Sequence, residues 1–258
     1  MTVDAIHTTG DSIAGWRDLY REEMACQVVH DSIHARPGWT DEYLLRRDGA
    51  SVGYGSVAVA GPWSEAHAIY EFYVAREARQ HLFPLFEALV VTSRATHIEV
   101  QSNDVLGLVM CHAFAGSVTS ESILFHDRFT TALQPEGATF RAPHAGELDD
   151  VSASQEPWHG VVEIEGAVAA SGGILFHYNR PYGDIYMQVE ERFRRRGLGA
   201  FLVQELKRVA YAGGHIPAVR CNPSNVASQR TLQRAGFVPC GHILTGKVAE
   251  VGESHRRL

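Results

Sequence analysis

The stretch 189-VEERFRRRGLGAFLVQEL-206 decides how this chain is read. A strand-like run, Ile185 to Val189, ends on its first residue. A helical pattern runs from Leu198 to Ala212 and puts Phe201, Leu202, Leu206 and Val209 on one face. Gly213-Gly214 closes that helix as a left-handed cap would. The turn between strand and helix holds Arg194, Arg195, Arg196, Gly197 and Gly199. N–H groups in the first turn of a helix have no carbonyl partner and sit at the positive end of the macrodipole. Glycines let a ligand approach that backbone closely, and the arginines add charge, so the turn suits a diphosphate. Spacing excludes two familiar phosphate loops. GxGxxG fails because Ala200, Phe201 and Leu202 follow Gly199, and GxxxxGK[ST] is absent.

Further along stands 222-NPSNVASQRTLQRAGF-237, a short helix pattern opening at Asn225 and turning at Gly236-Phe237 into a last strand. With Arg194-x-x-Gly197-x-Gly199 five residues after Val189, this pair of motifs resembles the GNAT superfamily of acyl-CoA-dependent N-acyltransferases. The first motif is similar to that family's V-x-P-x-[YF]-R-x-x-G-x-G with Glu191 in place of proline. The second is similar to its N-x-x-[AS]-x-x-x-[LYT]-x-x-x-GF.

The resemblance covers residues from about 160 to 245 and implies roles position by position. Gln188 and Val189 would meet the pantetheine arm, Val189 through its backbone. Arg194, Arg195, Arg196, Gly197, Leu198, Gly199 and Ala200 would cradle the diphosphate of acetyl-CoA, and Asn225 and Ser228 would touch its pantetheine or phosphate side. Splaying of the strands that end at Val189 and Cys221 would admit the thioester. The implied activity is transfer of an acetyl group from acetyl-CoA to a primary amine of a small molecule or peptide, by direct attack in a ternary complex.

Two positions depart from the family's pattern. Leu232 stands where many members have a tyrosine acid, and Arg220 stands near the place of a glutamate base. A thiol of pKa about 8.5 leaves readily as thiolate, so the acid is dispensable. Positioning supplies roughly 7 to 11 kcal/mol in any case. Asp184 and Tyr186, on or near the central strand, are the catalytic candidates, with Tyr182 and His177 nearby. The departures also leave open a non-catalytic acyl-CoA-binding or sensing protein.

The first half repeats the order of the second. Arg79 follows Val74 by the same five positions, and each arginine precedes a helix, a strand, an asparagine (Asn103 or Asn225) and a second helix. The period of about 115 to 120 residues is that of a duplicated domain rather than a solenoid repeat. In the first copy Leu82 replaces the first glycine and no second follows, so no coenzyme site is expected there. The expected fold is α/β with two tandem GNAT-like domains, each a mixed, mostly antiparallel central sheet flanked by helices. Residues 1–133 form the degenerate copy and 134–258 the copy with the coenzyme A site. A loop is expected over Gln134 to Pro157.

Composition agrees with a globular enzyme. Hydrophobic residues make up 45% of the 258 and charged ones 21%, and no apolar run is long enough to span a bilayer. The net charge of -7 excludes a general nucleic-acid binder. Four cysteines without CxxC spacing read as free thiols of a cytoplasmic protein. His30 and His34 stand four apart but lack a third ligand, so no metal is expected. The expected partner is a small-molecule amine, with neither nucleic acid nor membrane, and the chain is expected to be a monomer or homodimer.

Overall fold

A computed structural model describes residues 1–24, 26, 31–144, 146–147 and 158–249, the side chains of 177–179 excepted. The chain forms two compact units, one of Met1–Glu121 with Gly241–Leu258 and one of Ser122–Cys240.

In chain order the first unit contains β1 (Val3–Thr8), α1 (Gly10–Met24), α2 (Asp31–His34), β2 (Thr40–Arg47), β3 (Ala50–Ala58) and β4 (Ala68–Val74). There follow α3 (Leu82–Ser93), β5 (His97–Gln101) and α4 (Val105–Phe114). Strands β6 (Ala115–Asp127), β7 (Ala138–Arg141), β8 (Trp158–Ile164), β9 (Ala167–Asn179) and β10 (Tyr182–Val189) come next. The remainder is α5 (Leu198–Ala212), β11 (Ile216–Cys221), α6 (Val226–Arg234) and β12 (Phe237–Val248).

Both units share one strand pattern. In the first, β1, β2, β3 and β4 pair antiparallel in sequence, β4 pairs parallel with β5, and β5 pairs antiparallel with β12. In the second, β7, β8, β9 and β10 do the same, β10 pairs parallel with β11, and β11 pairs antiparallel with β6. Each unit is therefore a mixed, mostly antiparallel sheet flanked by helices. Its last strand comes from the other end of the chain segment: β6 follows α4 but joins β11 through Ile123–His126. β12 follows α6 but joins β5 through Ile243–Lys247. The division thus falls within β6 and β12 and not at 133/134, because these two strands cross it.

The parallel pair is short in both units. The β10–β11 ladder runs from Tyr182↔Ile216 to Asp184↔Ala218 and stops, while β10 stays paired to β9 as far as Val189↔Ala170. The β4–β5 ladder stops equally early, at Ile69↔Ile98. The strands beyond those rungs are splayed.

Packing follows the apolar faces. Helix α5 lies on β9, β10 and β11 and buries Leu198, Phe201, Leu202, Val203 and Leu206 almost completely. Each such side chain contributes about 1.5–3 kcal/mol by leaving water. Lys207 of α5 is also buried: its Nζ donates to Phe129 O (2.9 Å) and Ala235 O (2.8 Å) and pairs with Asp127 Oδ1 at 2.6 Å. This fastens the end of α6 to α5. Strands β1, β6 and β7 were not foreseen; β7 lies inside the expected loop over Gln134 to Pro157, of which 145 and 148–157 fall outside the described residues.

Candidate active site

The turn from β10 to α5 has a geometry that suits an anion. Arg195 (φ 63) and Gly197 (φ 81) are left-handed, which turns the chain sharply into the helix. A non-glycine residue in that region costs about 1–3 kcal/mol, strain that gathers at functional sites. Gly197 is the N-cap and offers no side chain to the helix. The first-turn N–H groups of Leu198, Gly199 and Ala200 accordingly have neither a helical carbonyl nor a cap. By contrast, Asn225 Oδ1 accepts from Ser228 N (3.0 Å) to cap α6. A Cβ on Gly199 would lie 3.1 Å from both Val189 Cγ2 and Thr231 Cγ2, so glycine keeps this wall open.

A groove of about 780 Å³ lies along this turn between β10 and α6. Of the residues expected to bind coenzyme A, Gln188, Val189, Arg194, Arg195 and the run Gly197–Ala200 line it, as do Asn225 and Ser228. Arg196 does not line it; its guanidinium lies 5.7 Å from the centre of the Phe193 ring. Arg230 and Arg234 line it too and double the positive charge. Sequence reasoning missed them, although counting in helical steps from Ser228 along α6 places Thr231 and Arg234 on its face.

A second cavity of about 280 Å³ adjoins the first, sharing Met187 and Ser228 with it. It brings the catalytic candidates Asp184 and Tyr186 together with Arg220 and Leu232, the two residues that depart from the family pattern. Asp184 occupies the last rung of the β10–β11 ladder, and its carboxylate lies 3.5 Å from Arg220 Nε. Burial pushes the Asp184 pKa up to about 6, against the pull of Arg220. The Tyr186 hydroxyl is hydrogen-bonded to His159 Nδ1 at 2.8 Å, and burial raises its pKa. The ring reaches β8 because Gly173 lies between: a Cβ there would come within 2.7 Å of Tyr186 Oη. His159 had no signal in the sequence, being 27 residues from its partner. Tyr182 opens β10 and is not among the lining residues, and the side chain of His177 lies outside those described.

The first unit repeats the scaffold without the chemistry. Arg79 Nε donates to Val74 O (3.1 Å) as Arg194 Nε does to Val189 O (3.4 Å), so the shared spacing is one shared contact. Its counterpart of Asn225 is Asp104, which caps α4 by accepting from Gly107 N, and not Asn103. Leu82 and Pro84 occupy the two glycine positions, and the Phe114 ring packs 4.9 Å from that of Phe86. Counting from the caps, Val109 and Ala113 stand where α6 has Arg230 and Arg234. Helix α4 lies on β4 and β5 with Met110 and Cys111 fully buried, whereas α6 buries only Leu232. Around the splay of β4 the unit holds a buried polar cluster instead. Glu71 accepts from Arg17 Nε (3.0 Å) and Tyr54 Oη (2.9 Å) and lies 3.2 Å from His34 Nε2. Burial would raise the Glu71 pKa, but Arg17 and His34 hold it far below the usual carboxylate range. His30 lies outside the described residues, and among those described no cluster could hold a metal ion. None of the described helices is long and apolar enough to cross a membrane.

Residues 124–237 match the model of the acetyltransferase (GNAT) family. Among curated proteins none matches. Among solved structures, an acetyltransferase from the GNAT family of Colwellia psychrerythraea superposes with a TM-score of 0.69 at 14% identity, covering 96% of this chain and 100% of that one. A tandem GNAT protein from the clavulanic acid biosynthesis pathway gives 0.62 at 14% identity, covering 96% and 99%. A GCN5-related N-acetyltransferase from Sphaerobacter thermophilus gives 0.59 at 16%, covering 95% of each. The sequence match falls on the unit that carries the groove, and the fold match extends over nearly the whole chain. The second unit matches the GNAT acetyltransferase family, and the fold of the chain is that of two GNAT-like domains in tandem.

Proposed function

We propose that the second unit is an N-acetyltransferase that moves an acetyl group from acetyl-CoA to a primary amine by direct attack in a ternary complex. The observation that carries this reading is the meeting of the two cavities at Met187 and Ser228, beside the point where the β10–β11 ladder ends. The residues present fit the co-substrate: an uncapped helix start, a glycine that leaves room for it, and four groove arginines match a polyanion. When bound, acetyl-CoA supplies an acyl group activated as a thioester.

The chain's own residues divide the remaining work. The first-turn N–H groups of α5, with Arg194 and Arg195, hold the diphosphate. Beyond Asp184, the side of β10 that turns toward β11 has no ladder partner and offers its amides to an extended ligand. Asp184 is a carboxylate above pH about 6 and takes a proton from the incoming ammonium. Tyr186, oriented by His159, presents its hydroxyl to the same cavity. Leu232, buried at the acid position, leaves the sulfur to depart as thiolate. The free amine is the nucleophile, so activity rises toward alkaline pH. The proposed setting is the cytoplasm, with Cys26, Cys111, Cys221 and Cys240 as thiols rather than disulfides.

Thiol release from acetyl-CoA across a panel of primary amines tests the proposal. Amine-dependent release is expected. Tight coenzyme binding with no release for any amine would replace it with the sensing role, which Leu232 and Arg220 favour.

A further inference from the structure

Acetylating an ammonium takes two protons from one nitrogen, and Asp184 holds one proton at a time. Among the described residues, the other polar side chains lining the smaller cavity are Tyr186, Arg220 and Ser228. A guanidinium has no lone pair for a proton. A hydroxyl takes one only while it gives up its own, and for that it needs a base behind it.

Tyr186 has such a base: its hydroxyl lies 2.8 Å from His159 Nδ1. Strand register prepares the contact. His159 of β8 stands opposite Gly173 of β9, and Gly173 stands opposite Tyr186 of β10. The three positions form one row across the sheet, and the middle one carries no side chain. The phenol therefore lies across β9 and meets the imidazole edge to face, at 79° with 6.3 Å between ring centres. A Cβ on Gly173 would come 2.7 Å from the Tyr186 oxygen and 2.6 Å from the Trp158 carbonyl, so another residue there breaks the row. Asp184 stands two residues from Tyr186 and thus on the same side of β10, lining the same cavity. Burial holds the Tyr186 pKa above that of a free phenol, which makes phenolate a costly resting state. His159 is only partly buried, so a proton it receives has a way to water.

We propose, on the transferase reading of this site, that Tyr186 and His159 form a proton relay. The Tyr186 oxygen takes the second proton from the acceptor nitrogen while its own hydroxyl proton passes to His159 Nδ1. The relay uses the His159 tautomer with its proton on Nε2, which leaves Nδ1 as the acceptor. Asp184 removes the first proton, from the ammonium. The N–C bond of the amide then forms and the C–S bond breaks, its electron pair leaving on sulfur, as the second proton moves from nitrogen to Tyr186. His159 ends as an imidazolium and returns its proton to water, from which the departing thiolate is reprotonated. The net products are the acetamide, coenzyme A thiol and one proton.

The test separates a relay from a hydrogen bond that only steadies the ring. His159→Asn sets an amide oxygen near the place of Nδ1, so the phenol keeps an acceptor, but an amide does not take up the proton. Thiol release from acetyl-CoA is followed with the fastest of ethylamine, benzylamine, L-alanine and spermidine, and coenzyme A binding by calorimetry. His159→Asn and Tyr186→Phe should each lower kcat by about 10²-fold, with the KM for the amine nearly unchanged and no further loss in the double variant. In His159→Ala, added imidazole should restore part of the rate, whereas pyrrole, equal in size but without an accepting nitrogen, should not. A variant that no longer binds coenzyme A is replaced by His159→Gln, which carries the same acceptor on a longer stem. A kcat for His159→Asn within about threefold of wild type, losses that multiply in the double variant, or equal rescue by pyrrole overturns the relay and leaves the transferase reading standing. No thiol release by the wild type with any of these amines, while coenzyme A still binds, overturns both.

Discussion

Replacing Gly199 by aspartate separates the demands of folding from those of binding. Gly199 is the second residue of α5, within the first turn at the positive end of the macrodipole. A carboxylate there favours the helix by about 0.3–1 kcal/mol. Its Cβ would lie 3.1 Å from Val189 Cγ2 and Thr231 Cγ2, two contacts that force those side chains to yield by a few tenths of an ångström. Gly199→Asn incurs the same crowding without the charge, so the pair isolates electrostatics. For binding the sign reverses. A carboxylate about 5.5 Å from a phosphate charge, at an effective dielectric of about 20, costs about 3 kcal/mol, or roughly 150-fold in Kd. Titration calorimetry with coenzyme A should show Gly199→Asp weaker than Gly199→Asn by about that factor, with the gap shrinking as salt is raised. Urea unfolding should rank Gly199→Asp equal to or above Gly199→Asn. If the two proteins bind coenzyme A within threefold of each other at low salt, the diphosphate does not sit on the start of α5.

Other expectations concern protons and buried charge. With Asp184 held at about 6 by burial, kcat/KM for a fixed acceptor should carry an acidic limb there, on which activity falls as the carboxylate protonates. Asp184→Asn should remove the limb and lower kcat by about 10²–10⁴-fold, and a limb that survives the substitution would exclude Asp184 as base. His34 is the opposite case: burial alone would lower its pKa, but Glu71 and Glu42 reverse this and hold it at about 9. Its contribution to stability is complete below the unfolded value of about 6.5 and fades as pH rises through 9, spanning up to about 3 kcal/mol. The urea midpoint should therefore fall between pH 6.5 and 9.5, and His34→Gln should flatten that slope; an equal slope in both proteins refutes the ion-pair account. Lys207→Met strands Asp127, whose side chain is 7% exposed, and should cost about 3–5 kcal/mol in urea unfolding. Adding Asp127→Asn should restore part of the loss, and no restoration would mean that the backbone bonds to Phe129 and Ala235 matter more than the charge.

What the sequence disclosed was mostly local. The bounds of α5, Leu198–Ala212, are those its periodicity predicts, and the turn before it lines a groove. The Val–Arg spacing corresponds to the same arginine-to-backbone contact in each half. Features that depend on distant partners were not legible. β6 reads AGSVTSESILFHD, with small polar residues through its first half and no alternation, and only its pairing makes it a strand. Glu71, Arg17 and His34 look like surface charges one at a time; burial arises because each is the others' partner. Asp104 and Asn103 are adjacent candidates for the same duty, and the backbone direction decides between them. Asp184 and Arg220 lie 36 positions apart, and their opposition needs β11 to lie beside β10.

The crossing of β6 and β12 has a consequence for how the protein is made. The last strand of the first unit, Ile243–Lys247, comes after every residue of the second unit. On the ribosome, the first unit emerges early yet must wait with β5 lacking a neighbour on that side. The second unit needs only Ser122–Cys240 and emerges whole. Synthesis order and folding order are thus inverted: the domain translated second is the first whose strands are all present, and a stall anywhere before codon 243 leaves the earlier domain open.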